Sequence, residues 1–305
     1  MIAALVVLYH PDLSLLNRLL SSVFDQVDGI IAVDNTDGSS ALWPDYLDQY
    51  REHVTYIPLG INKGIAEAQN IGIELSIKSG YSHVLLLDQD SALSPDMVCK
   101  LLAAEKELLN KGDKIAGMSP QVTDERTGNR PCACLYRWLR ARELFREVNS
   151  TETVQTDSFI ASGSLIRTSV LQVLGTMRSD LFIDHVDTEW ALRAQSAGYK
   201  CYCVPDAILM HSIGDAAVKV LGRSIHIHGD IRHYYQLRNE VYLARLKTMG
   251  FQWRAYILPR IPYHYVLYSA LSNNPLRASR LLLKAIWDGM VGRLGPITSL
   301  RRFRL

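Results

Sequence analysis

The first half of the chain alternates short apolar runs with amphipathic stretches. The apolar runs at 3–9 and 83–88 are bounded by polar or turn-forming residues and are typical of strands buried in a sheet. The stretches 12–26, 64–80 and 95–112 have apolar residues at helical spacing, the last with a proline in its predicted first turn. Strands that alternate with helices in this way predict βαβ units and a mostly parallel, doubly wound α/β sheet.

The second half is less regular. The region from about 123 to 154 is polar and poorly periodic, which predicts an extended excursion or lid. The stretch 157–175 predicts a strand, a turn and a helix, and 180–211 predicts a turn, a helix closed by Gly198 and a strand pair ending at His211. From Arg232 onward the chain is predicted to be helical and is rich in aromatic residues.

These patterns divide the chain into a main domain and a C-terminal segment. We assign residues 1–244 to the main domain, with a first half at about 1–120 and a second half at about 121–244. Residues 245–305 are predicted to form a helical, basic segment.

Carboxylates stand at the ends of two predicted strands. Asp34 ends one strand, and Asp88 and Asp90 follow the apolar run of another. An ionised carboxylate is costly to bury unless it is paired or bound to a metal, and ligands of parallel sheets bind at the carboxyl ends of the strands. Asp88 and Asp90 therefore form a D-x-D motif that suits Mg²⁺ or Mn²⁺ together with phosphate oxygens.

Two further segments carry candidate polar residues. In 62–73, Gly64 would let the backbone pass close to a ligand, although a capped surface helix explains the segment equally well. Further along, Asp184, Asp187 and Glu189 cluster around His185 and Trp190. Helix capping accounts for Asp187 alone, whereas the whole cluster is typical of a site with a general base and a stacking platform.

Composition narrows the class of protein. The chain has 305 residues, of which 48% are hydrophobic, which is ample for a core. Its five cysteines indicate a reducing compartment, and we interpret the two C-x-C pairs as small buried hydrophobic residues rather than zinc ligands. The N-terminus is predicted to be a strand and not a signal peptide, and no apolar run is long enough to predict a spanning helix.

The net charge of +2 hides an asymmetry along the chain. Residues 245–305 contain eleven Lys or Arg and a single acid, a net charge of +10, whereas residues 1–244 carry a net charge of −8. Basic residues mixed with Tyr, Trp and Leu favour a helix that lies on an anionic membrane. The alternative is a helical bundle that packs on the rest of the chain. No motif indicates nucleic-acid binding.

Taken together, the motifs resemble the family 2 glycosyltransferases of the GT-A fold, and among them the bacterial rhamnosyltransferases of O-antigen and polysaccharide assembly. The resemblance covers about residues 1–245. It implies that residues 1–244 are a catalytic domain, with a nucleotide-sugar half at about 1–120 and an acceptor half at about 121–244. It is carried by the order of seven motifs: VVLYHPD, VDN, NKGIAEAQNIGI, LLLDQDS, FIASGSLIR, FIDHVDTEWALRAQSAGY and HSIGD.

The resemblance implies roles for individual residues. Asp34 would recognise the nucleotide base, and the D-x-D motif would hold ribose and metal, with Asp90 and His211 as ligands and Asp88 as a possible one. Asp187 would be the general base, although Val186 replaces the glutamate that usually precedes it. The remaining donor contacts would be Tyr9, Asn62, Gly64, Asn70, Gln89 and Arg238, and the acceptor and sugar pocket would contain Ser162, Gly163, Glu189 and Trp190.

The implied reaction is an inverting, metal-dependent transfer of a sugar, L-rhamnose from dTDP-L-rhamnose in this subfamily, to a hydroxyl of a lipid-linked glycan. The Q-x-x-R of YYQLRN lacks the tryptophan found in processive synthases, so we expect non-processive transfer. The resemblance also implies that the reaction takes place at the cytoplasmic face of the membrane. The alternatives are a transferase for a UDP-hexose, a D-x-D phosphatase, which Ala92 and the two preceding βα units disfavour, and a non-catalytic binding protein.

Overall fold

The computed structural model describes residues 1–40, 44–124, 128–129, 131–144, 150, 152–211, 217–220, 223–226 and 229–297. The helices among them are α1 (Leu13–Val23), α2 (Ile65–Lys78), α3 (Met97–Asn110), α4 (Thr168–Leu174), α5 (Val186–Ser196), α6 (Asp230–Leu243), α7 (Gly250–Ile257), α8 (Arg260–Leu271) and α9 (Pro275–Val291). The strands are β1 (Ile2–Leu8), β2 (Gly29–Asp34), β3 (Val54–Pro58), β4 (His83–Asp88), β5 (Ser91–Leu93), β6 (Ile115–Asp124), β7 (Gly128–Asn129), β8 (Ala133–Arg137), β9 (Arg140–Leu144), β10 (Val154–Thr156), β11 (Leu165–Arg167), β12 (Lys200–His211), β13 (Ala217–Val220) and β14 (Arg223–His226).

The main sheet has the order β10-β12-β6-β11-β4-β1-β2-β3. The first four strands in the sequence pair in parallel, as predicted, whereas β11 runs antiparallel to β4 and β6. Because the chain moves outward from β1 to β3 and then returns to place β4 on the other side of β1, the carboxyl ends of β1 and β4 flank a topological switch point. Such points are where doubly wound sheets bind ligands.

Apolar residues cover both faces of this sheet. Every residue of β1 is buried, and alternate residues contribute to two separate hydrophobic clusters. Helix α1 lies against one of them and begins at Asp12, whose carboxylate accepts hydrogen bonds from the backbone N–H groups of Ser14 and Leu15. The helical spacing found in the sequence therefore corresponds to a buried face of α1, formed by Leu16, Leu19, Leu20 and Val23.

Two elements of the structure differ in detail from the sequence-based prediction. The predicted strand pair ending at His211 is one long strand, β12, whose register with β6 shifts between Val204 and Ile208. Pro205 lies in this interval, and the irregularity accommodates it within the strand. Pro95 precedes Asp96, the N-cap of α3, and so lies outside the first turn of that helix.

The predicted excursion at 123–154 contains a hairpin where the structure describes it. Strands β8 and β9 pair antiparallel around a turn that includes Leu139, which has a φ of 57°. Cys132 and Cys203 are buried in one small cluster beside this hairpin, as expected for small hydrophobic residues. The remainder of the excursion lies partly outside the described residues.

The C-terminal helices pack on the rest of the protein as far as residue 297. Helix α9 lies against α6 so closely that a Cβ at Gly289 would be 2.5 Å from the Arg238 carbonyl oxygen. Met249 and Trp253 belong to the same core cluster as residues of the sheet, so packing continues across the predicted boundary at 244. None of the described helices is long and apolar enough to cross a membrane. Residues 298–305, with three of the eleven basic residues, lie outside the described chain.

Candidate functional site

Two carboxylates and an imidazole meet at the carboxyl end of β4. Asp88 ends this strand, Asp90 follows in the turn, and His211 ends β12. One ligand atom from each of the three lies within 4.8 Å of the others, and His211 Nδ1 is 3.4 Å from Asp90 Oδ1. Two carboxylate oxygens and an imidazole nitrogen are donors that suit Mn²⁺ or Mg²⁺, so this chain's residues fit the expected cation.

Buried hydroxyl groups hold the D-x-D turn in place. The Asp88 N–H donates to Ser162 Oγ (3.1 Å), which also shares a hydrogen bond with Ser91 Oγ (2.8 Å), and Ser91 in turn contacts His211 Nδ1 (3.1 Å). Next to Ser162, Gly163 has a φ of 83°, and a Cβ there would lie 2.5 Å from the Pro120 side chain. The FIASGSLIR segment therefore helps to fix the backbone of the predicted metal site.

The electrostatics of this turn favour a bound cation. Burial raises the pKa of Asp88 to about 6, opposed by His211 and reinforced by the negative charges of Asp90 and Asp187, while Arg232 lowers it. Carboxylates that repel each other in a partly desolvated site are stabilised when a cation binds between them.

The side chain of Gln89, between the two aspartates, bridges to the end of β1. The Tyr9 N–H donates to Gln89 Oε1 (2.8 Å), and Gln89 Nε2 donates to the Tyr9 carbonyl (3.1 Å). This pair joins the two strand ends at the switch point and leaves the Tyr9 ring about half exposed. The ring is therefore free to contact a ligand.

The predicted nucleotide residues lie at the same edge of the sheet. Asp34, at the end of β2, accepts hydrogen bonds from the Tyr56 hydroxyl (2.6 Å) and the Thr36 N–H (2.9 Å). Asn62 Oδ1 accepts from Asn35 Nδ2 (3.0 Å) and so ties the loop before α2 to the loop after β2. These contacts give the predicted nucleotide pocket a defined wall.

Asp187 lies in the first turn of α5. Its carboxylate accepts hydrogen bonds from the backbone N–H groups of Thr188 (2.7 Å) and Ala161 (3.2 Å). Burial raises the pKa of Asp187, and these N–H groups together with the charge of His185 oppose the rise. Each oxygen is thus oriented by the backbone, which is the arrangement required of a fixed proton acceptor.

A cavity of about 270 Å³ opens beside Asp187. It lies between β6, the start of the β8–β9 hairpin and the segment from Ser158 to Ser162. Its wall includes Ser162 at one side and Asp187 with Thr188 at another, so it connects the D-x-D support to the predicted base. The cavity is large enough for a sugar unit and has hydroxyl groups and a carboxylate in its wall.

Four predicted site residues are not at this site. Asn70 hydrogen-bonds the backbone N–H and carbonyl of Met177 (both 2.8 Å), and Glu189, 2% exposed, pairs with Arg193 (3.0 Å). Trp190 is fully buried and donates to the Gly175 carbonyl (2.9 Å).

Arg238 is the fourth. It is 1% exposed, and its guanidinium donates to the carbonyls of Gly295 (2.6 Å) and Leu181 (2.8 Å) and lies over the ring of Tyr235. Because these backbone groups already occupy its donors, Arg238 contributes to packing rather than to a diphosphate contact.

One basic residue at the site was not predicted from the sequence. Arg232, in the first turn of α6, is close enough to stabilise the ionised form of Asp88, and its Nε is 3.3 Å from Asp184 Oδ1. The signal available in the sequence was a basic residue just ahead of the YYQLRN motif and after His211, which a search for known motifs passes over.

Comparison of the sequence with known proteins bears on the family. The sequence model described as "Glycosyl transferase family 2" matches residues 5–175. The chain is 32% identical over 294 residues to the dTDP-rhamnosyl transferase RfbF of Shigella flexneri, which covers 96% of this chain and 97% of that protein.

A solved structure is also similar. The crystal structure of GalNAc-T7 with UDP, GalNAc and Mn²⁺ superposes with a TM-score of 0.59 at 15% identity and covers 95% of this chain. The chain spans 56% of the length of that protein, and at this identity the likeness shows the GT-A type of fold alone.

These matches decide between the enzyme classes that the sequence left open. A phosphatase and a non-catalytic binding protein are both set aside, because a transferase relative is matched along almost the whole chain. The chain belongs to glycosyltransferase family 2 and resembles its rhamnosyltransferases.

Proposed function

We propose that this protein transfers L-rhamnose from dTDP-L-rhamnose to a hydroxyl of a glycan acceptor, with inversion at the anomeric carbon. The observation that carries the proposal is that Asp187, held by two backbone N–H groups, lines the same cavity as Ser162, which supports the D-x-D turn. A dTDP-rhamnosyl transferase among the relatives supports the choice of donor.

Asp187 would take the proton from the acceptor hydroxyl as that hydroxyl attacks the anomeric carbon. The bond between this carbon and the diphosphate oxygen breaks in the same step, so the electron pair leaves with dTDP and no covalent sugar intermediate is needed. The N–H groups of Thr188 and Ala161 fix the carboxylate at the wall of the cavity. This orientation lowers the reorganisation required in the transition state.

The leaving diphosphate needs positive charge. Asp88, Asp90 and His211 would hold Mg²⁺ or Mn²⁺, which when bound neutralises negative charge on the departing phosphate oxygens. Arg232 is the side-chain cation that we assign to the same task, since it is partly exposed and acts on Asp88. It takes the role that the sequence had suggested for Arg238.

The nucleotide would lie across the ends of β1 and β2. Asp34 is 5% exposed and already accepts two hydrogen bonds, yet each carboxylate oxygen keeps a lone pair for an N–H of the thymine base. The exposed ring of Tyr9 offers a stacking surface at the same edge. Asn62 and Gly64 shape the loop that closes this side.

The C-terminal helices would place the enzyme on an anionic membrane, where a polyprenyl-linked acceptor is found. One face of α9 is buried against α6 and α8, as the bundle alternative expects. The opposite face exposes Leu276, Arg280, Leu283, Trp287 and Met290, which follow one another at intervals of three or four positions, and all of them except Arg280 are apolar. An apolar outer face flanked by basic charge is typical of interfacial helices, so both interpretations apply, each to its own face of α9.

A donor screen by thermal shift tests the function. With Mn²⁺ or Mg²⁺ present, dTDP-L-rhamnose should raise the melting temperature more than UDP-glucose does, because a ligand that binds only the folded state stabilises it. A matched Asp90→Asn variant should lose the metal-dependent part of the shift. A larger shift with UDP-glucose than with dTDP-L-rhamnose would contradict the proposed donor.

A further inference from the structure

The loop that leads into α5 has an unusual backbone. Phe182, Asp184 and His185 all have positive φ values, of 69°, 64° and 61°, and none of them is a glycine. Such conformations are unfavourable for residues with a Cβ and persist only where the surroundings determine them. Because Asp187 follows His185 by two residues, the conformation of this loop sets where α5 starts and where the Asp187 carboxylate lies.

Helix α6 holds the carbonyl groups of this loop. Asn239 Nδ2 lies within hydrogen-bond distance of three carbonyl oxygens, those of Leu181 (3.1 Å), Ile183 (2.8 Å) and Asp184 (3.0 Å). Arg238 donates to the Leu181 carbonyl as well (2.8 Å). Both side chains are buried, so these contacts are shielded from competition by water.

The next residue of α6, Glu240, faces two histidines. Its carboxylate is 1% exposed, 2.9 Å from His264 Nδ1 of α8 and 3.5 Å from His185 Nε2. Burial alone would raise the pKa of Glu240, but the two histidines outweigh it and the pKa is lowered. A buried carboxylate of this kind is costly unless it is paired, and in the described part of the chain His185 and His264 are the side chains that pair with it.

His185 itself is surrounded by negative charge. The groups that face it are Glu240 from α6, Asp184 from its own loop and Asp187 from α5, while the ring of Trp253 from α7 packs edge-on at 6.3 Å. Burial lowers the pKa of His185, but these carboxylates outweigh burial and the pKa is raised. The imidazole therefore lies among three carboxylates, and its charge in turn opposes the rise in the pKa of Asp187.

We propose that His185 and Glu240 are positioning residues for the transfer reaction: Glu240 holds His185 at the N-cap of α5, and His185 thereby fixes where α5 begins and where the Asp187 carboxylate lies. This inference rests on the proposed role of Asp187 as the base. The YYQLRN motif and Glu240 after it then influence catalysis through the loop that leads into α5, and not by contact with the donor.

The test compares two variants with a matched control. His185→Asn keeps a residue that tolerates positive φ but removes the charge, and Glu240→Gln keeps the shape of the side chain but removes its charge. The control is His83→Gln, because His83 Nε2 pairs with the buried Glu105 (2.9 Å) at the opposite end of β4. The readout is release of dTDP from dTDP-L-rhamnose, with water as acceptor, as a function of pH in the presence of Mn²⁺.

Without the positive charge of His185, protonated Asp187 is favoured, so the acid limb of kcat should move to higher pH. We expect this shift in both variants, with kcat at neutral pH lowered about 10-fold to 100-fold and the KM for the donor changed less than about 2-fold. His83→Gln should keep the wild-type pH profile. An unshifted acid limb in His185→Asn, or an equal shift in His83→Gln, would overturn the inference.

Asp187→Asn separates this inference from the proposed function. If Asp187→Asn keeps near wild-type turnover, the proposed base is wrong, and the role of His185 falls with it. If Asp187→Asn is inactive while His185→Asn and Glu240→Gln keep the wild-type profile, the base stands and only the positioning role is overturned.

Discussion

Gly64 and Phe182 are in such close contact that no side chain could be placed between them. A Cβ at Gly64 would lie 2.5 Å from the carbonyl oxygen of Phe182, and Gly64 itself has a φ of 86°. The loop before α2, which forms one side of the predicted nucleotide pocket, thus touches the strained loop that leads to Asp187. This glycine therefore links the donor side of the site to the base.

Replacing Gly64 by alanine should weaken both stability and activity. The new Cβ must displace the Phe182 backbone, and the alanine must adopt a positive φ. Together these two effects should lower the free energy of unfolding by about 1–3 kcal/mol. Urea unfolding gives the first quantity, and dTDP release gives the second. Gly38→Ala is the control, because a Cβ there meets nothing within 4 Å while its φ of 82° is similar. Equal losses in the two variants would show that the contact with Phe182 has no effect of its own.

The two arginines of α6 should behave in opposite ways. Arg238→Met leaves the carbonyls of Gly295 and Leu181 without their buried donor, so we expect a loss of about 2–4 kcal/mol in stability. Arg232→Met should change stability by less than about 1 kcal/mol, since this side chain is 42% exposed, but should lower kcat by about 10-fold or more. Urea unfolding and dTDP release measure the two effects. A stable but inactive Arg238→Met would restore Arg238 as a diphosphate contact.

Asp88 should make the metal-free protein less stable as the pH rises. Its pKa is raised to about 6 in the folded state, above the ordinary value of an unfolded aspartate, so between about pH 4 and pH 6 the folded state binds more protons than the unfolded state. Stability is therefore lost as the pH passes upward through this window, by up to about 2–3 kcal/mol. Asp88→Asn should lack this contribution.

Unfolding in urea with EDTA at pH 4.5 and pH 7, values chosen to bracket roughly that window, checks the sign. Asp88→Asn should gain stability relative to wild type as the pH rises. A difference between the two proteins that stays constant with pH would show that Asp88 titrates normally. Added Mn²⁺ should reverse the loss in the wild type, because the ion binds the ionised carboxylates.

The outer face of α9 should govern binding to anionic vesicles. Leu283→Glu places a negative charge on the exposed apolar face and should reduce co-sedimentation with phosphatidylglycerol vesicles by about 10-fold or more. Val173→Glu is the matched control, because Val173 is an exposed valine of α4, away from the C-terminal helices, at 71% exposure. Binding that is equal in Leu283→Glu and wild type would contradict a membrane role for this face.

Much of the fold was readable from the sequence because its signals are local. The apolar runs of β1, β2 and β4 and the helical spacing of α1, α2 and α3 each lie within a short window, and the structure confirms them. Asp88, Asp90 and His211 were also expected together as metal ligands, the two aspartates from the D-x-D motif after a buried strand and His211 from the family resemblance. The structure brings their ligand atoms within 4.8 Å of one another.

The sequence misled where a residue's role depends on distant partners. Arg238 looked like a diphosphate contact because of its neighbours in YYQLRN, but the backbone carbonyls that it binds, those of Gly295 and Leu181, are more than 50 residues away in either direction. Glu189 and Trp190 share a helix with Asp187, yet the helical rotation turns them into the core. Arg232 was missed for the converse reason, since only folding brings it close to Asp88.

Asp187 is the proposed base in transfer from dTDP-L-rhamnose, and the whole mechanism depends on this role. The most direct test measures dTDP release from dTDP-L-rhamnose by wild type and by Asp187→Asn, alongside donor binding by calorimetry with Mn²⁺. We predict that turnover falls by about 1000-fold or more in Asp187→Asn, while the Kd for the donor stays within about 3-fold of wild type. Turnover by Asp187→Asn within about 10-fold of wild type would contradict the proposed role of Asp187 as the base.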